Sequence, residues 1–160
     1  MNNWVEGMMK ATGGYVTAWD VVNEAISGGG NDEGFYTLQS ASNVSAEDAK
    51  NNFYWQDYLG NVDYVRIVVA AARKYYAENG GTAPLKLFVN DYNLESWWDG
   101  NKKAQSLVHW IKKWEADGVT KIDGIGTQMH VSCYANAATQ KSKEDHVVKM
   151  FEILAESGKQ

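Results

Sequence analysis

The chain is poor in cysteine, which can cross-link a fold, and in proline, which interrupts helices and strands. Among its 160 residues there is one cysteine, Cys133, and one proline, Pro84. A single cysteine excludes an internal disulfide. The three histidines show no metal-ligand spacing, and they are His109, His130 and His146. We therefore expect no metal and no other cofactor, and a fold that depends on its packed core.

A surplus of basic residues and long apolar segments are also missing. The 15 Lys and Arg are outnumbered by 20 Asp and Glu, which gives a net charge of -5. Nucleic acids and anionic membranes bind through basic patches, so neither is expected as a partner. No run approaches the roughly 18 apolar residues of a membrane span. Residues 1–10 lack the charged and apolar regions of a signal peptide.

Aromatic residues, in contrast, are abundant, with 7 Trp and 9 Tyr in a chain that is 44% hydrophobic. This composition is sufficient for one domain with a substantial core. Trp and Tyr have flat apolar faces with a polar edge, which suit sugar rings as well as cores. For any one of them, packing in the core is the simpler interpretation.

The hydrophobic pattern predicts a first helix and then three repeats of strand, loop and helix. Strands are predicted at 15–22, 85–93 and 121–131. Helices are predicted at 3–12, 58–78 and 102–117, with a last helix capped by Ser142 and Asp145 and ended by Gly158. The polar, Gly-rich residues 27–57 are predicted to form a long loop.

Strands that alternate with helices indicate an α/β fold with a parallel sheet. Either a doubly wound open sheet or a closed (β/α)8 barrel satisfies this order. The glycines of "SGGGND" lack the spacing of the dinucleotide and P-loop motifs, and no helix follows them directly. The phosphate-binding signal expected of a doubly wound sheet is therefore missing, and this segment is interpreted as a flexible loop.

Polar side chains cluster at the carboxyl end of each predicted strand, where barrel enzymes place their catalytic groups. These residues are Asn23 and Glu24, then Asn90, Asp91 and Tyr92, then Gln128 and His130. Three such clusters on successive strands predict one shared site.

Alternation along the strands refines this prediction. Gly126, Gln128 and His130 fall on one face of the third strand, where the glycine leaves room for the two polar groups. Asn90 and Tyr92 share a face of the second strand, and Asp91 points the other way. Because Asn23 and Glu24 are neighbours, a regular strand cannot point both side chains to the face that carries the shared site. The backbone must therefore break or bulge at this point.

Each residue also has a purely structural interpretation. Glu24 could cap a helix or pair with a lysine, and His130 could be a packing histidine. Asn90 and Asp91 could form turns at the strand end, and Tyr92 could pack in the core. Only the joint placement of these residues favours a functional site.

Three motifs carry a resemblance to a known family. "WDVVNE", "LFVNDYN" and "GIGTQMH", in this order, resemble glycoside hydrolase family 10, the endo-β-1,4-xylanases. The intervening "FYWQDYLG" and "DYVRIVVAAARK" are also similar to that family. The resemblance implies that residues 1–160 form a single incomplete (β/α)8 barrel domain, covering about strands four to six with their flanking helices.

The resemblance also implies roles. Glu24 is expected to be the general acid/base, with Asn23 holding the sugar 2-hydroxyl and Asp91 in a supporting position. Asn90 and Tyr92 match residues that line the same subsite. Gln128 is expected to bind the substrate and His130 to be a catalytic residue, and both match groups that bond to the substrate and to the nucleophilic glutamate and orient it.

Retaining glycosidases need two carboxyl groups about 5–5.5 Å apart. In the family the nucleophile follows the "TQMH" strand, and Glu95 and Asp99 do not match it. We therefore expect the nucleophile outside this chain, and no hydrolysis by the chain alone. Exposed sheet edges are expected to favour self-association or a complementing barrel fragment. The resemblance implies xylan or xylo-oligosaccharides as substrate and a secreted, periplasmic or cell-surface location.

Two other functions stay open at this stage. The chain could be a non-catalytic carbohydrate-binding half-barrel that uses Trp97, Trp98 and the polar groups of the site. It could also belong to another retaining barrel family of the cellulase kind, because an Asn-Glu pair ends a strand there too. The "NDYN" and "TQMH" motifs favour the xylanase family.

Overall fold

The computed structural model describes residues 1–160 and contains six helices around a three-stranded sheet. The elements in chain order are α1 (Asn2–Thr12), β1 (Ala18–Asn23), α2 (Ala46–Asn51), α3 (Trp55–Leu59), α4 (Asp63–Glu78), β2 (Lys86–Asp91), α5 (Lys102–Glu115), β3 (Gly124–Thr127) and α6 (Ala137–Ala155). None of these helices combines the length and the apolar character that crossing a membrane requires.

The sheet is parallel, with the strands in the order β1-β2-β3. Asn23 lies opposite Asn90, and Asn90 lies opposite Gly126, so one row of residues crosses all three strands near their carboxyl ends. The predicted alternation of strands and helices is therefore confirmed. It brings the three polar clusters to the same edge of the sheet.

The core lies on the helical side of the sheet. Along β2 every second residue is buried. The residues that face the helices are Leu87, Val89 and Asp91. Apolar residues at helical spacing are buried along both long helices, at Val65, Val69, Ala72 and Tyr76 of α4 and at Ala104, Val108, Ile111 and Trp114 of α5. All the apolar members belong to one continuous cluster. Full burial of a side chain such as Leu87 contributes about 1.5–3 kcal/mol to stability.

The first helix ends as predicted and the last helix does not begin as predicted. Gly13 follows α1 with φ 53°, a left-handed conformation that glycine adopts easily. The helix α6 begins at Ala137, because the Asn136 side chain accepts a hydrogen bond from the Thr139 N–H at 2.9 Å. The predicted cap at Ser142 and Asp145 is wrong. Both residues lie within the helix, where Asp145 pairs with Lys141 one turn away.

Residues 27–57 contain more regular structure than the predicted long loop. They include α2 and the start of α3, and the Ser45 side chain caps α2 by accepting from the Asp48 N–H at 3.0 Å. The Gly-rich part is fastened to α5, where the Asp32 carboxylate binds His109 at 3.0 Å and Lys113 at 2.6 Å. These partners are more than 70 residues away in sequence, so local pattern could not reveal them.

The Asp123 carboxylate joins β3 to its neighbours. It accepts from the Leu87 N–H at 2.9 Å and from the Arg73 guanidinium at 2.8 Å. Burial alone would raise the pKa of Asp123, but the Leu87 N–H and the Arg73 cation outweigh burial and hold this pKa below its ordinary value of 3.8. Ionised Asp123 therefore stabilises the folded state.

We expect Asp123→Asn to lower the free energy of unfolding by about 1.5–3 kcal/mol at pH 7, the range for hydrogen bonds to charged groups. Because the folded-state pKa is depressed, the difference is full above the unfolded-state value and disappears as pH falls through the folded-state pKa. Urea denaturation between pH 7 and pH 3 measures it. Asp145→Asn, at an exposed ion pair, is the matched control and should have little effect. A difference at pH 3 as large as the difference at pH 7 would contradict the prediction.

Candidate active site

Each of the three strands is followed by a residue in the left-handed region. These residues are Glu24 with φ 55°, Asn93 with φ 56° and Met129 with φ 48°. For residues other than glycine this conformation costs roughly 1–2 kcal/mol. Such strain is found where the surrounding structure holds a functional turn in place. Here it reorients the chain after each strand, at the edge where the polar side chains meet.

The turn at Glu24 is the backbone break that the sequence predicted for the neighbouring pair Asn23-Glu24. The pairing of β1 with β2 also shifts by one residue between Asp20 and Val22. As a result both side chains reach the same partner, since the Gln128 Nε2 donates to Glu24 Oε1 at 2.8 Å and lies 3.4 Å from Asn23 Oδ1. The Glu24 N–H donates to the carbonyl of Asn90 at 2.8 Å, which fixes the turn to β2.

The Asn90 side chain occupies the space that Gly126 leaves open. A Cβ atom at position 126 would lie 2.6 Å from Asn90 Oδ1, closer than atoms pack. In this position the Asn90 amide donates to Asn23 Oδ1 at 2.8 Å. The room that the sequence pattern assigned to Gly126 therefore holds a side chain from the neighbouring strand.

Gln128 lies at the centre of the hydrogen-bond network. Its Nε2 donates to Glu24, and its Oε1 lies 2.8 Å from His130 Nε2. With its Oε1 as acceptor, the His130 Nε2 must carry the hydrogen of this bond. His130 itself is exposed and reaches Glu24 only through Gln128. The structure thus brings five predicted residues into one chain of contacts: Asn23, Glu24, Asn90, Gln128 and His130.

Tyr92 and Asp91 lie on opposite sides of the chain. Tyr92 is half-buried in the cavity that also holds Glu24, and burial raises the pKa of its phenol, helped by the charges of Asp91, Glu24 and Asp48. The phenol is therefore a hydrogen-bond donor at neutral pH. Asp91 is fully buried towards the helices. Burial raises the pKa of Asp91, while the Lys103 ammonium and two backbone N–H groups oppose the rise.

Two cavities lie at the two ends of this network, one at Glu24 and the other at His130. One, of about 610 Å³, contains Asn23, Glu24 and Tyr92. The other, of about 490 Å³, contains His130 and a wall of Trp97 and Trp98. Also in its lining are Tyr134, the exposed thiol of Cys133 and the Lys143 ammonium. The hydrogen bonds from Glu24 through Gln128 to His130 therefore run from one cavity to the other.

Sequence reasoning missed the aromatic side of the first cavity. Phe53, Tyr54 and Trp55 line it, and the Phe53 ring stacks on Tyr58 with 4.7 Å between centroids. Phe53 is 57% exposed, so this patch is not part of the core. The three adjacent aromatic residues within a polar segment were the signal that could have revealed it.

The two loop carboxylates considered as nucleophiles lie apart from Glu24. Asp99 accepts from the Tyr36 hydroxyl at 3.0 Å and from the Lys102 N–H at 3.2 Å, so it holds the start of α5. Glu95 lines the second cavity, with one carboxylate oxygen buried without a protein partner. No group of three or more His, Cys, Asp or Glu side chains is arranged to hold a metal ion.

The strain at Glu24 can be measured by comparing two variants. Glu24→Ala and Glu24→Gly both remove the carboxylate, but only glycine adopts φ 55° without strain. We expect the glycine variant to unfold with a free energy about 1 kcal/mol higher than the alanine variant. Chemical denaturation of the two proteins tests this. Equal stabilities would show that the turn at Glu24 is not strained.

The space above Gly126 gives a second prediction. In Gly126→Ala the new methyl group must displace the Asn90 side chain and break its bond to Asn23. We expect a loss of stability of about 0.5–1.5 kcal/mol, the value of one hydrogen bond, and a new position for the Asn90 side-chain amide resonances. Gly7→Ala, where a Cβ meets open space, is the control. Unshifted Asn90 resonances in Gly126→Ala would contradict the prediction.

Comparison with known proteins places this geometry in a family. The sequence model of Glycosyl hydrolase family 10 matches residues 1–158. Endo-1,4-beta-xylanase A of Halalkalibacterium halodurans is 31% identical over 131 residues, which are 82% of this chain and 26% of that protein. Endo-1,4-beta-xylanase C of Paenibacillus barcinonensis is 32% identical over 141 residues, which are 84% of this chain and 11% of that protein.

A solved structure agrees. The crystal structure of an endo-1,4-beta-xylanase from Caldicellulosiruptor owensensis superimposes with a TM-score of 0.62 and 27% identity, covering 99% of this chain and 38% of that one. The chain thus spans much less than half the length of these relatives. The expected fold class, α/β and part of a (β/α)8 barrel, is confirmed, and the open doubly wound sheet is excluded. The chain belongs to glycosyl hydrolase family 10.

Proposed function

We propose that this chain supplies the acid/base side of a retaining endo-β-1,4-xylanase site, with Glu24 as general acid and base. One observation carries the proposal: the Gln128 amide binds Glu24 Oε1 at 2.8 Å and also lies 3.4 Å from Asn23. A catalytic carboxylate and a candidate hydroxyl-binding amide are therefore fixed relative to each other. The curated relatives named endo-1,4-beta-xylanases support this substrate class.

In the first step, Glu24 gives its proton to the glycosidic oxygen while a second carboxylate attacks the sugar and forms a glycosyl-enzyme. In the second step, Glu24 takes a proton from water, and that water releases the sugar with its configuration retained. Asn23 and Asn90 are already bonded to each other, so their remaining donors are oriented for the sugar hydroxyls. Tyr92 adds a phenol donor from the same cavity.

The nucleophile in this proposal comes from outside these 160 residues. Asp99 is engaged at the start of α5, and Glu95 lies in the second cavity. We propose that Gln128 and His130 bind the substrate and orient that nucleophile. The Gln128 amide already donates to Glu24 and lies near Asn23, while the exposed His130 imidazole has a second ring nitrogen with which to contact a ligand.

The sheet edges support a proposal about partners. The backbone of Gln160 pairs with β3, since its N–H donates to Asp123 O at 3.1 Å and its C=O accepts from Ile125 at 2.8 Å. The other edge, on β1, has no partner strand. We propose that further strands of a barrel cover these edges, and that self-association is the alternative. Because a polysaccharide does not cross membranes, the protein is proposed to act outside the cytoplasm.

Calorimetric titration with xylohexaose tests substrate binding by the 160-residue chain. We expect binding that Asn90→Ala weakens about 5- to 10-fold, the value of a hydrogen bond of about 1–1.4 kcal/mol. Asn79→Ala, at the end of α4 and remote from the cavities, is the matched control. Tighter binding of cellohexaose than of xylohexaose would favour a cellulase-type substrate instead.

A reducing-sugar assay tests the place of the nucleophile. We expect no release from xylan by the purified chain, because the second carboxylate is absent from the site. Release that Glu24→Ala abolishes would contradict this part of the proposal, since it would require a nucleophile among these residues.

The wall of Trp97 and Trp98 favours a second candidate function, carbohydrate binding without turnover. These rings are 45% and 59% exposed, and stacking on a sugar ring would bury them. In that case Trp97→Ala would abolish xylohexaose binding while Asn90→Ala would leave it unchanged. In the proposed hydrolase both substitutions weaken binding.

A further inference from the structure

Lys103 is a buried cation that the proposed reaction does not use. It is the second residue of α5 and is only 4% exposed. Its Nζ lies 2.8 Å from Asp91 Oδ1 and 3.4 Å from the centre of the Tyr92 ring. Removal of an ammonium group from water is costly unless the charge is fully paired, so the contacts of Lys103 must compensate for its burial.

The partner of Lys103 controls the turn that carries Glu24. The other oxygen of Asp91, Oδ2, accepts from the Ile26 N–H at 3.0 Å, two residues after Glu24. Its Oδ1 also accepts from the Tyr92 N–H at 2.8 Å. On the other side of the turn, the Glu24 N–H is bound to Asn90 O. The end of β2 therefore holds the strained segment 24–26 at both of its ends.

The charge on Lys103 keeps this arrangement in place. Without a cation nearby, the fully buried carboxylate of Asp91 would take up a proton or draw in water. A neutral acid is a weaker acceptor for the Ile26 N–H than a carboxylate. The left-handed turn at Glu24 persists only while its surroundings oppose its relaxation. The ammonium also lies on the face of the Tyr92 ring, which fixes that ring by a cation–π contact.

We propose that Lys103 is a positioning residue for the active site. Through Asp91 it fixes the turn that aims the Glu24 carboxylate at Gln128, and through the ring contact it fixes Tyr92. The catalytic meaning of this role rests on the proposed function of Glu24. The geometric role can be measured without any sugar.

The test is nuclear magnetic resonance of the ¹⁵N-labelled chain in a pH titration. The Gln128 side-chain amide, bound to Glu24, should shift as Glu24 ionises, and the loss of this shift in Glu24→Gln assigns it. We expect Lys103→Met to reduce the shift at least two-fold, because the carboxylate no longer faces the amide. Lys103→Arg, which keeps the charge, should restore most of it.

A partly buried cation that follows α6 and pairs with the same helix, α5, separates positioning from general stability. Lys159 binds Glu115, at the far end of α5, at 2.6 Å. We expect Lys159→Met to lower the melting temperature while the Gln128 shift stays unchanged. If Lys103→Met also lowers the melting temperature but leaves the Gln128 shift intact, Lys103 has a structural role only and the proposal is wrong.

A double variant keeps the test decisive if Lys103→Met does not fold. Lys103→Met with Asp91→Asn removes both charges at nearly constant volume, which buried pairs tolerate better than the loss of one partner. We expect a folded protein with a reduced Gln128 shift, and a full shift in it would overturn the proposal. Failure of xylohexaose binding would count against the proposed function and leave this measurement unaffected.

Discussion

The carboxylate of Asp91 is fully buried and binds donors from three separate segments of the chain. The Ile26 N–H comes from the turn after β1, the Tyr92 N–H from the end of β2, and the Lys103 ammonium from α5. A lone buried carboxylate would be strongly destabilising, so these donors are drawn together around it. The charge thereby fixes where α5 begins relative to the sheet edge and where the chain turns after β1.

On the open side of the same edge, a neutral amide connects two groups that differ in charge. Gln128 can donate to the Glu24 carboxylate and accept from the His130 imidazole at once. A glutamate at position 128 would repel Glu24, and a lysine could not accept from His130. The amide therefore fixes the side of the imidazole that carries hydrogen without adding a charge beside Glu24.

Much of this arrangement was predictable from local pattern. The burial of Val65, Val69 and Ile111 follows from helical spacing, and the strand alternation correctly turned Asp91 away from Asn90. Because side chains alternate between the two faces of a strand, the sequence required a backbone break at Asn23-Glu24. The structure has a left-handed turn at this point. These features depend on neighbours in sequence, so sequence reveals them.

The features that escaped prediction depend on contacts between distant residues. Nothing near Asp32 in sequence shows that it binds His109 and Lys113, so the Gly-rich segment seemed flexible. Nothing near Lys103 in sequence shows that it is buried, because its partner Asp91 lies at the end of β2. Two sequence patterns near α6 resemble helix caps, one at Asn136 and one at Ser142 with Asp145. The helix begins after Asn136, whose side chain accepts from the Thr139 N–H, so the second pattern lies within the helix. The roles of the site residues stay predictions until they are measured.

The lone thiol has a practical consequence. Cys133 is exposed and lies in the lining of the cavity that also contains His130 and the two tryptophans. Because no other cysteine competes for a maleimide reagent, a dye or spin label would attach at this one position without prior mutagenesis. The molecule therefore carries its own attachment point for an optical or magnetic sensor of whatever enters that cavity.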